Sequence, residues 1–305
     1  MTARTGTARG GARVAAGVGG VSDVGVPDPE DLLRVVRTAL GEDLRYGPDA
    51  TTAATVPADA VATASVTPRV DGVLAGLPAA RAVLDEVLGA GGYTVLAEAA
   101  DGDRLTAGTP ALTVRAPVRG LLTAERTALN LLTHLSGIAT ATRAWVDAVD
   151  GTGARIRDTR KTLPGLRLLE KYAVRCGGGV NHRLGLGDAV LIKDNHVAAA
   201  GSVSAALAAA RALAPDLPCE VEVDSLDQLD EVLELAAELV LLDNFTVAET
   251  AEAVRRRGDR ATLLESSGGL ALAGARDYAA TGVDFLAVGG LTHSVTALDL
   301  GLDLE

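Results

Sequence analysis

The sequence predicts a small N-terminal α+β domain followed by a parallel, TIM-like α/β barrel, and three observations support this. From about Ala58 to Leu121, short alternating apolar runs are separated by turn signals such as Asp71-Gly72 and Asp101-Gly102. Beyond Gly153, short apolar runs alternate with helical stretches, as parallel strands joined by right-handed crossovers require. Those runs end one after another in charged or glycine-rich residues, which a barrel would deliver to a single face.

In chain order, residues 1–27 are rich in Gly, Ala, Thr and Arg without an apolar signal-peptide region, and they read as a disordered tail. Leu32, Leu33, Val35, Val36 and Leu40 form one helical stripe over Pro29–Leu40, with Asp28 as N-cap and Gly41 after its end. Gly47–Thr52 reads as a turn. Strands follow at Ala60–Val66, Tyr93–Glu98 and Ala111–Ala116, with a helix at Leu77–Leu88. A long helix spans Thr123–Val149, with a kink expected at Gly137. Six buried parallel strands are expected at 154–157, 189–192, 219–223, 239–242, 262–264 and 285–288. The helices between them fall at 166–174, 203–213, 226–236, 247–257 and 271–280. These elements place the N-terminal domain at 28–135, the barrel at 136–290 and a C-terminal segment at 291–305 that packs on the N-terminal domain.

Composition narrows the function. Hydrophobic residues make up 48% of the chain and aromatics only 2%, so Ala, Val and Leu build the core. The formal net charge is -12, yet Lys161, Lys171 and Lys193, the three lysines, all fall in one stretch with Arg155, Arg157, Arg160, Arg175 and Arg183. A local cationic pocket on an acidic body suits a small, multiply anionic ligand and not nucleic acid, which needs a broad basic face. Cys176 and Cys219 match no metal spacing or disulfide framework and read as small buried apolar residues, so a cytoplasmic setting is expected. No apolar run approaches the roughly 20 residues that span a bilayer.

The strand ends carry the chemistry: Asp158–Lys161, Lys193–Asn195, Glu222 and Asp224, Asp243-Asn244, Glu265–Gly269 and Gly289-Gly290. Ser266–Gly269 and Gly289 close the last two strands, where barrels hold phosphate on bare backbone N–H groups. Arg160, Lys161, Arg183 and Lys193 combine bidentate forks with point charges, a set for carboxylates or phosphates; the competing reading is ion pairs to nearby acids. Glu222 and Asp243 suit Mg²⁺ or sugar hydroxyls, or else salt bridges to the same cations. His182 follows a glycine run that permits close approach to a ligand, whereas His134 and His293 read as structural. Arg126 reads as part of a solvated helix face.

The motifs Arg157-Asp-Thr-Arg-Lys-Thr-Leu-Pro-Gly165, Gly177-Gly-Gly-Val-Asn-His-Arg183, Leu191-Ile-Lys-Asp-Asn-His196, Glu220-Val-Glu-Val-Asp224, Leu242-Asp-Asn244 and Glu265-Ser-Ser-Gly-Gly269 resemble, in order, those of the quinolinate phosphoribosyltransferases. The resemblance runs from about Pro29 to the C-terminus. It implies an N-terminal α/β sandwich and an incomplete α/β barrel. It also implies Mg²⁺-dependent transfer of phosphoribose from 5-phosphoribosyl 1-pyrophosphate to quinolinate, with loss of carbon dioxide, giving nicotinate mononucleotide for NAD synthesis. Carried over by motif, the quinolinate set is Arg126, Thr159, Arg160, Lys161, His182, Arg183 and Lys193, with Arg126 donated by the partner of a homodimer. Glu222 and Asp243 would meet the ribose and Mg²⁺, and Ser267, Gly268, Gly269 and Gly289 the phosphate; Lys161, Lys193, Glu222 and Asp243 are the expected catalytic groups. Two rivals are a Schiff-base lyase using Lys193 and a diverged paralogue of the same fold that lacks this activity.

Overall fold

The computed structural model describes residues 25–305. The tail expected over 1–27 lies outside the described residues as far as residue 24; Gly25 and Val26 are exposed and Pro27 is buried. The described chain divides into two compact units, one of residues 25–144, Lys161–Gly179 and Gly290–Glu305, the other of Trp145–Arg160 and Val180–Gly289.

In the first unit, α1 (Pro29–Asp43) begins where the Asp28 side chain accepts from the Asp31 N–H, and it buries Leu32, Val35, Val36 and Leu40. Gly47–Thr52, expected as a turn, instead leads into a short helix, α2 (Ala50–Thr55), because Asp49 accepts from the Thr52 N–H as its cap. Strands β1 (Val61–Pro68), β3 (Thr94–Glu98), β5 (Leu112–Pro117) and β12 (Leu300–Leu304) form an antiparallel sheet in the order β12-β1-β5-β3. A two-stranded ribbon joins β2 (Gly72–Val73) to β4 (Arg104–Leu105). Helix α3 (Leu77–Leu88) packs against α1, and Asp101 accepts from the Gly76 and Leu77 N–H groups at its start.

Helix α4 (Val118–Ala148) runs 31 residues through Gly137, the position where a kink is expected from sequence. That glycine permits close packing. A Cβ there would lie 2.4 Å from the Thr296 carbonyl oxygen, so a side chain would push out the C-terminal strand's approach. The first unit also takes in α5 (Arg167–Cys176), a stretch that boundaries at 136 and 290 leave with the barrel. Tyr172 Oη donates to Asp101 at 2.7 Å, and α5 packs against α11 (Gly290–His293).

The second unit is built on six parallel strands: β6 (Arg155–Arg157), β7 (Val190–Ile192), β8 (Cys219–Val223), β9 (Leu239–Asp243), β10 (Leu263–Ser267) and β11 (Phe285–Ala287). Helices α6 (Asp194–Ala200), α7 (Val203–Leu213), α8 (Leu226–Glu234), α9 (Val247–Arg257) and α10 (Ala275–Ala279) connect β7 through β11. The order β6-β11-β10-β9-β8-β7 places the first strand beside the last, so the sheet curls round on itself. It stays open between β6 and β7, where a single parallel bridge sets Val180 beside Arg157. This is an incomplete α/β barrel. Val180, Leu239, Phe285 and Leu263 pack as an apolar cluster within it.

Candidate active site

Polarity rises along the barrel strands toward their carboxyl ends. Register places Leu239 level with Leu263 and Glu220, then Leu241 level with Glu222 and Glu265, and finally Asp243 level with Ser267. Period-2 alternation puts each of these series on one face of its strand. Each step away from the apolar cluster therefore exchanges aliphatic side chains for carboxylates and hydroxyls.

Deepest among the polar groups is a buried network. Arg157 Nη1 donates to Glu265 Oε2 at 2.6 Å, and the Arg157 guanidinium lies 5.0 Å from the centroid of the Phe285 ring, within cation–π range. His182, 8% exposed, places Nε2 at 2.8 Å from Glu220 Oε2 and 3.9 Å from Glu265 Oε1. Burial pushes the Glu220 carboxyl up to about 7, and burial with the neighbouring Glu220 charge pushes Glu265 up to about 7. Each keeps one buried oxygen, Oε1, without a hydrogen-bond partner.

Above this floor the 181–183 segment is clamped by Asp158, which is fully buried and accepts from Asn181 Nδ2 at 2.6 Å and the His182 N–H at 2.7 Å. Arg183 follows, with Nη1 donating to the Ala189 carbonyl at 3.2 Å. Burial first, and then the like charge of Arg160, lowers the Arg183 guanidinium from its ordinary value. Arg160 and Arg183 each retain a buried Nε without a partner. Two neighbouring guanidiniums with open donor capacity have the chemistry to take a planar anion.

Lys193, at the end of β7, pairs with Glu222, and its backbone N–H donates to His196 Nδ1 at 2.9 Å; His196 thus caps α6. The ends of β9 and β10 interlock. Asn244 adopts φ 58°, its N–H donates to the Ser267 carbonyl at 2.9 Å, and its amide donates to Asp243 Oδ2 at 2.8 Å. Gly268 has φ 92°, and a Cβ there would stand 2.2 Å from Asn244 Oδ1, so only glycine fits. Gly269 is also at positive φ, so two successive glycines without side chains form the turn that follows Ser267.

Of the residues expected from sequence, Thr159, Arg160, His182, Arg183, Lys193, Glu222, Asp243, Ser267, Gly268, Gly269 and Gly289 all lie in the second unit, at or just beyond its strand ends. Lys161 and Arg126 belong to the first unit. Arg126 is exposed on α4 and lines a cleft with Arg34, Asn130, His134 and Gly165, and the Lys161 carbonyl accepts from Thr292 Oγ1 at 2.8 Å. His134, as expected, is structural: its Nε2 lies 2.9 Å from Glu170 Oε1. Cys219 is only half-buried, unlike the buried Cys176. Asp158 and Glu265 fall within the polar strand ends and Glu220 within a motif, but the sequence assigns none of the three a role in the site. The Glu220-x-Glu222 spacing, which sets two acids on one strand face, is the signal that would have found Glu220.

Fold and site together define an α/β-barrel enzyme that handles anions at the carboxyl edge of its strands. The chain belongs to the quinolinate phosphoribosyl transferase family: the model of the family's N-terminal domain matches residues 49–136 and that of its C-terminal domain residues 138–303. It is 68% identical over 271 residues to a nicotinate-nucleotide pyrophosphorylase (carboxylating) from Mycobacterium leprae, covering 88% of this chain and 95% of the relative. A chloroplastic relative of the same description from Oryza sativa is 37% identical, covering 90% of this chain and 78% of that one. The solved nicotinate-nucleotide pyrophosphorylase of Francisella tularensis superposes with a TM-score of 0.87 at 36% identity, covering 93% of this chain and 99% of that one.

Proposed function

We infer that this chain transfers phosphoribose from 5-phosphoribosyl 1-pyrophosphate to quinolinate, with decarboxylation, giving nicotinate mononucleotide, pyrophosphate and carbon dioxide for NAD synthesis. The observation that carries this reading is the Arg160–Arg183 pair, two adjacent guanidiniums with unfilled buried donors. Both substrates are polyanions, so uniting them requires a cationic receptor that offsets their repulsion. Arg160 and Arg183 would hold the dicarboxylate, with Thr159 and Lys193 beside them and His182 at the base of the same segment. Arg126, donated by the partner of a homodimer, and Lys161 would complete the set.

Glu222 and Asp243 offer the hard oxygen donors that Mg²⁺ takes, and both sit at the ends of neighbouring strands. When bound, Mg²⁺ would neutralise the departing pyrophosphate. The same two carboxylates suit a ribose that gains positive character as the leaving group departs. Ser267, Gly268, Gly269 and Gly289 would receive phosphate on backbone N–H groups. The pyridine nitrogen carries no proton at neutral pH, so attack needs no general base; in the alkylated ring the bond to the 2-carboxylate breaks, carbon dioxide leaves, the electron pair stays on ring carbon 2 beside the positive nitrogen, and that carbon then takes a proton from water.

The Lys193 side chain is engaged by Glu222 and not left open to a carbonyl substrate, which argues against a Schiff-base role. A cytoplasmic setting fits the reaction, and no single helix among the described residues is long and apolar enough to cross a membrane. Pyrophosphate release with Mg²⁺ and the phosphoribosyl donor, compared for quinolinate, nicotinate and nicotinamide, tests the proposal. Turnover with quinolinate alone is expected. Turnover with nicotinate would remove the two-carboxylate receptor, and silence with all three would favour the diverged paralogue.

A further inference from the structure

His182 has two ring nitrogens, and both are engaged. Nδ1 accepts from the Arg183 N–H at 2.7 Å, and Nε2 lies 2.8 Å from Glu220 Oε2. A nitrogen that accepts from a backbone N–H carries no proton, so the ring is a neutral imidazole with its hydrogen on Nε2, donated to Glu220. In this state no nitrogen is left to offer a substrate, and the ring is 8% exposed. Its attachments instead form a strut running from Glu220, on β8, through the imidazole to the backbone of Arg183.

His182, Glu220 and Glu265 also place one donor atom each within 4.8 Å of one another, the arrangement of a small metal site. The hydrogen bonds argue against that use. Ligation through Nε2 would require that nitrogen to lose its hydrogen while Nδ1 still accepts from Arg183, and Arg157 already places a guanidinium on Glu265. The cluster is better suited to holding a side chain in place than an ion.

We propose that Glu220 is a positioning residue for the reaction: by accepting from His182 Nε2–H it fixes the ring tautomer, and the ring fixes the backbone of Arg183, so that the guanidinium meets the dicarboxylate substrate. Asp158 works on the same segment from the other side, gripping the His182 N–H and the Asn181 amide. Glu220 touches no substrate. Its effect is specific to the substrate that Arg183 binds, which separates it from a residue that merely supports the fold.

The proposal rests on quinolinate as the ligand of Arg183, and the test is built so that the two can fail separately. Glu220→Ala and Glu220→Gln are prepared in the full chain, and KM for quinolinate and for the phosphoribosyl donor is measured with kcat. Glu220→Ala is expected to raise KM for quinolinate about tenfold, the scale of one lost hydrogen bond to a charged group, with KM for the donor nearly unchanged. Glu220→Gln keeps a carbonyl that can accept from Nε2–H and is expected to restore most of that loss. Equal rises in both KM values, or a glutamine variant as impaired as the alanine one, would overturn the proposal. Nitrogen-15 NMR of His182 in the wild-type protein needs neither variant nor substrate. The neutral Nε2–H tautomer supports the strut, a hydrogen on Nδ1 overturns it, and wild-type silence with quinolinate would count against the reaction alone.

Discussion

Two histidine–glutamate pairs, one in each unit, have nearly the same geometry and different surroundings. In the first unit His134 Nε2 meets Glu170 Oε1 at 2.9 Å, and the other Glu170 oxygen accepts from the Leu163 N–H at 3.1 Å. Every Glu170 oxygen is used, and the pair closes the turn before α5. In the second unit His182 meets Glu220 at 2.8 Å, but Glu220 Oε1 stays buried without a partner beside a second such atom on Glu265. A fully satisfied polar pair specifies structure, whereas buried unsatisfied groups are tolerated where a site needs charge held in place. Pair distance does not separate a structural histidine from a functional one; the accounting of the remaining atoms does.

Substitutions can sharpen that contrast. The largest effect is expected at the anion receptor: Arg160→Ala or Arg183→Ala should lower kcat/KM with quinolinate by about 2–4 kcal/mol in transition-state binding, and a variant with near wild-type kcat/KM would refute the assignment. Gly268→Ala comes next, because it forces a side chain into Asn244 at a positive φ. A loss of about 1–3 kcal/mol in stability, read by denaturant melts, is expected together with a raised KM for the phosphoribosyl donor. Glu170→Ala strands His134 and the Leu163 N–H, and should cost about 1–3 kcal/mol of stability while leaving the KM for quinolinate less affected than Glu220→Ala does.

The pH dependence separates the pairs further. Glu265 binds its proton more tightly folded, near 7, than at its ordinary 4.5. Its contribution to stability is therefore fully present below about 4.5 and is lost as pH rises through about 7. Melting temperatures across that window should fall less steeply in Glu265→Gln than in wild type, and parallel curves would exclude the effect. The smallest change is expected for Arg37→Ala, whose pair with Glu86 on the surface of the first unit is screened by solvent; a melt indistinguishable from wild type is the expected result.

Much of this was legible in the sequence, for physical reasons. The six barrel strands are short runs built around Leu, Val, Ile or Phe, and their polar ends mark the edge where the candidate site residues lie. Asp49 as a helix cap was missed because Gly47-Pro48-Asp49 carries a turn signal as strong as its capping signal. The packing role of Gly137 is not legible in sequence, because a mid-helix glycine looks the same whether it bends the helix or admits a neighbouring backbone; the neighbour, Thr296, lies 159 positions farther along the chain. Glu220 and Glu265 receive no role from sequence because an acid inside a strand gives no local sign of which partners the other strands will bring.

The last strand has a consequence for how this chain is made and handled. Among the described residues β12 is an outer strand whose one sheet partner is β1, with Leu304 opposite Ala64. The flank of β1 is therefore covered by a segment about 240 positions farther along the chain, drawn in after all six barrel strands have been made. Cutting the chain before Leu300 should expose that flank as an unpaired strand edge and promote aggregation, whereas the barrel strands keep all their partners.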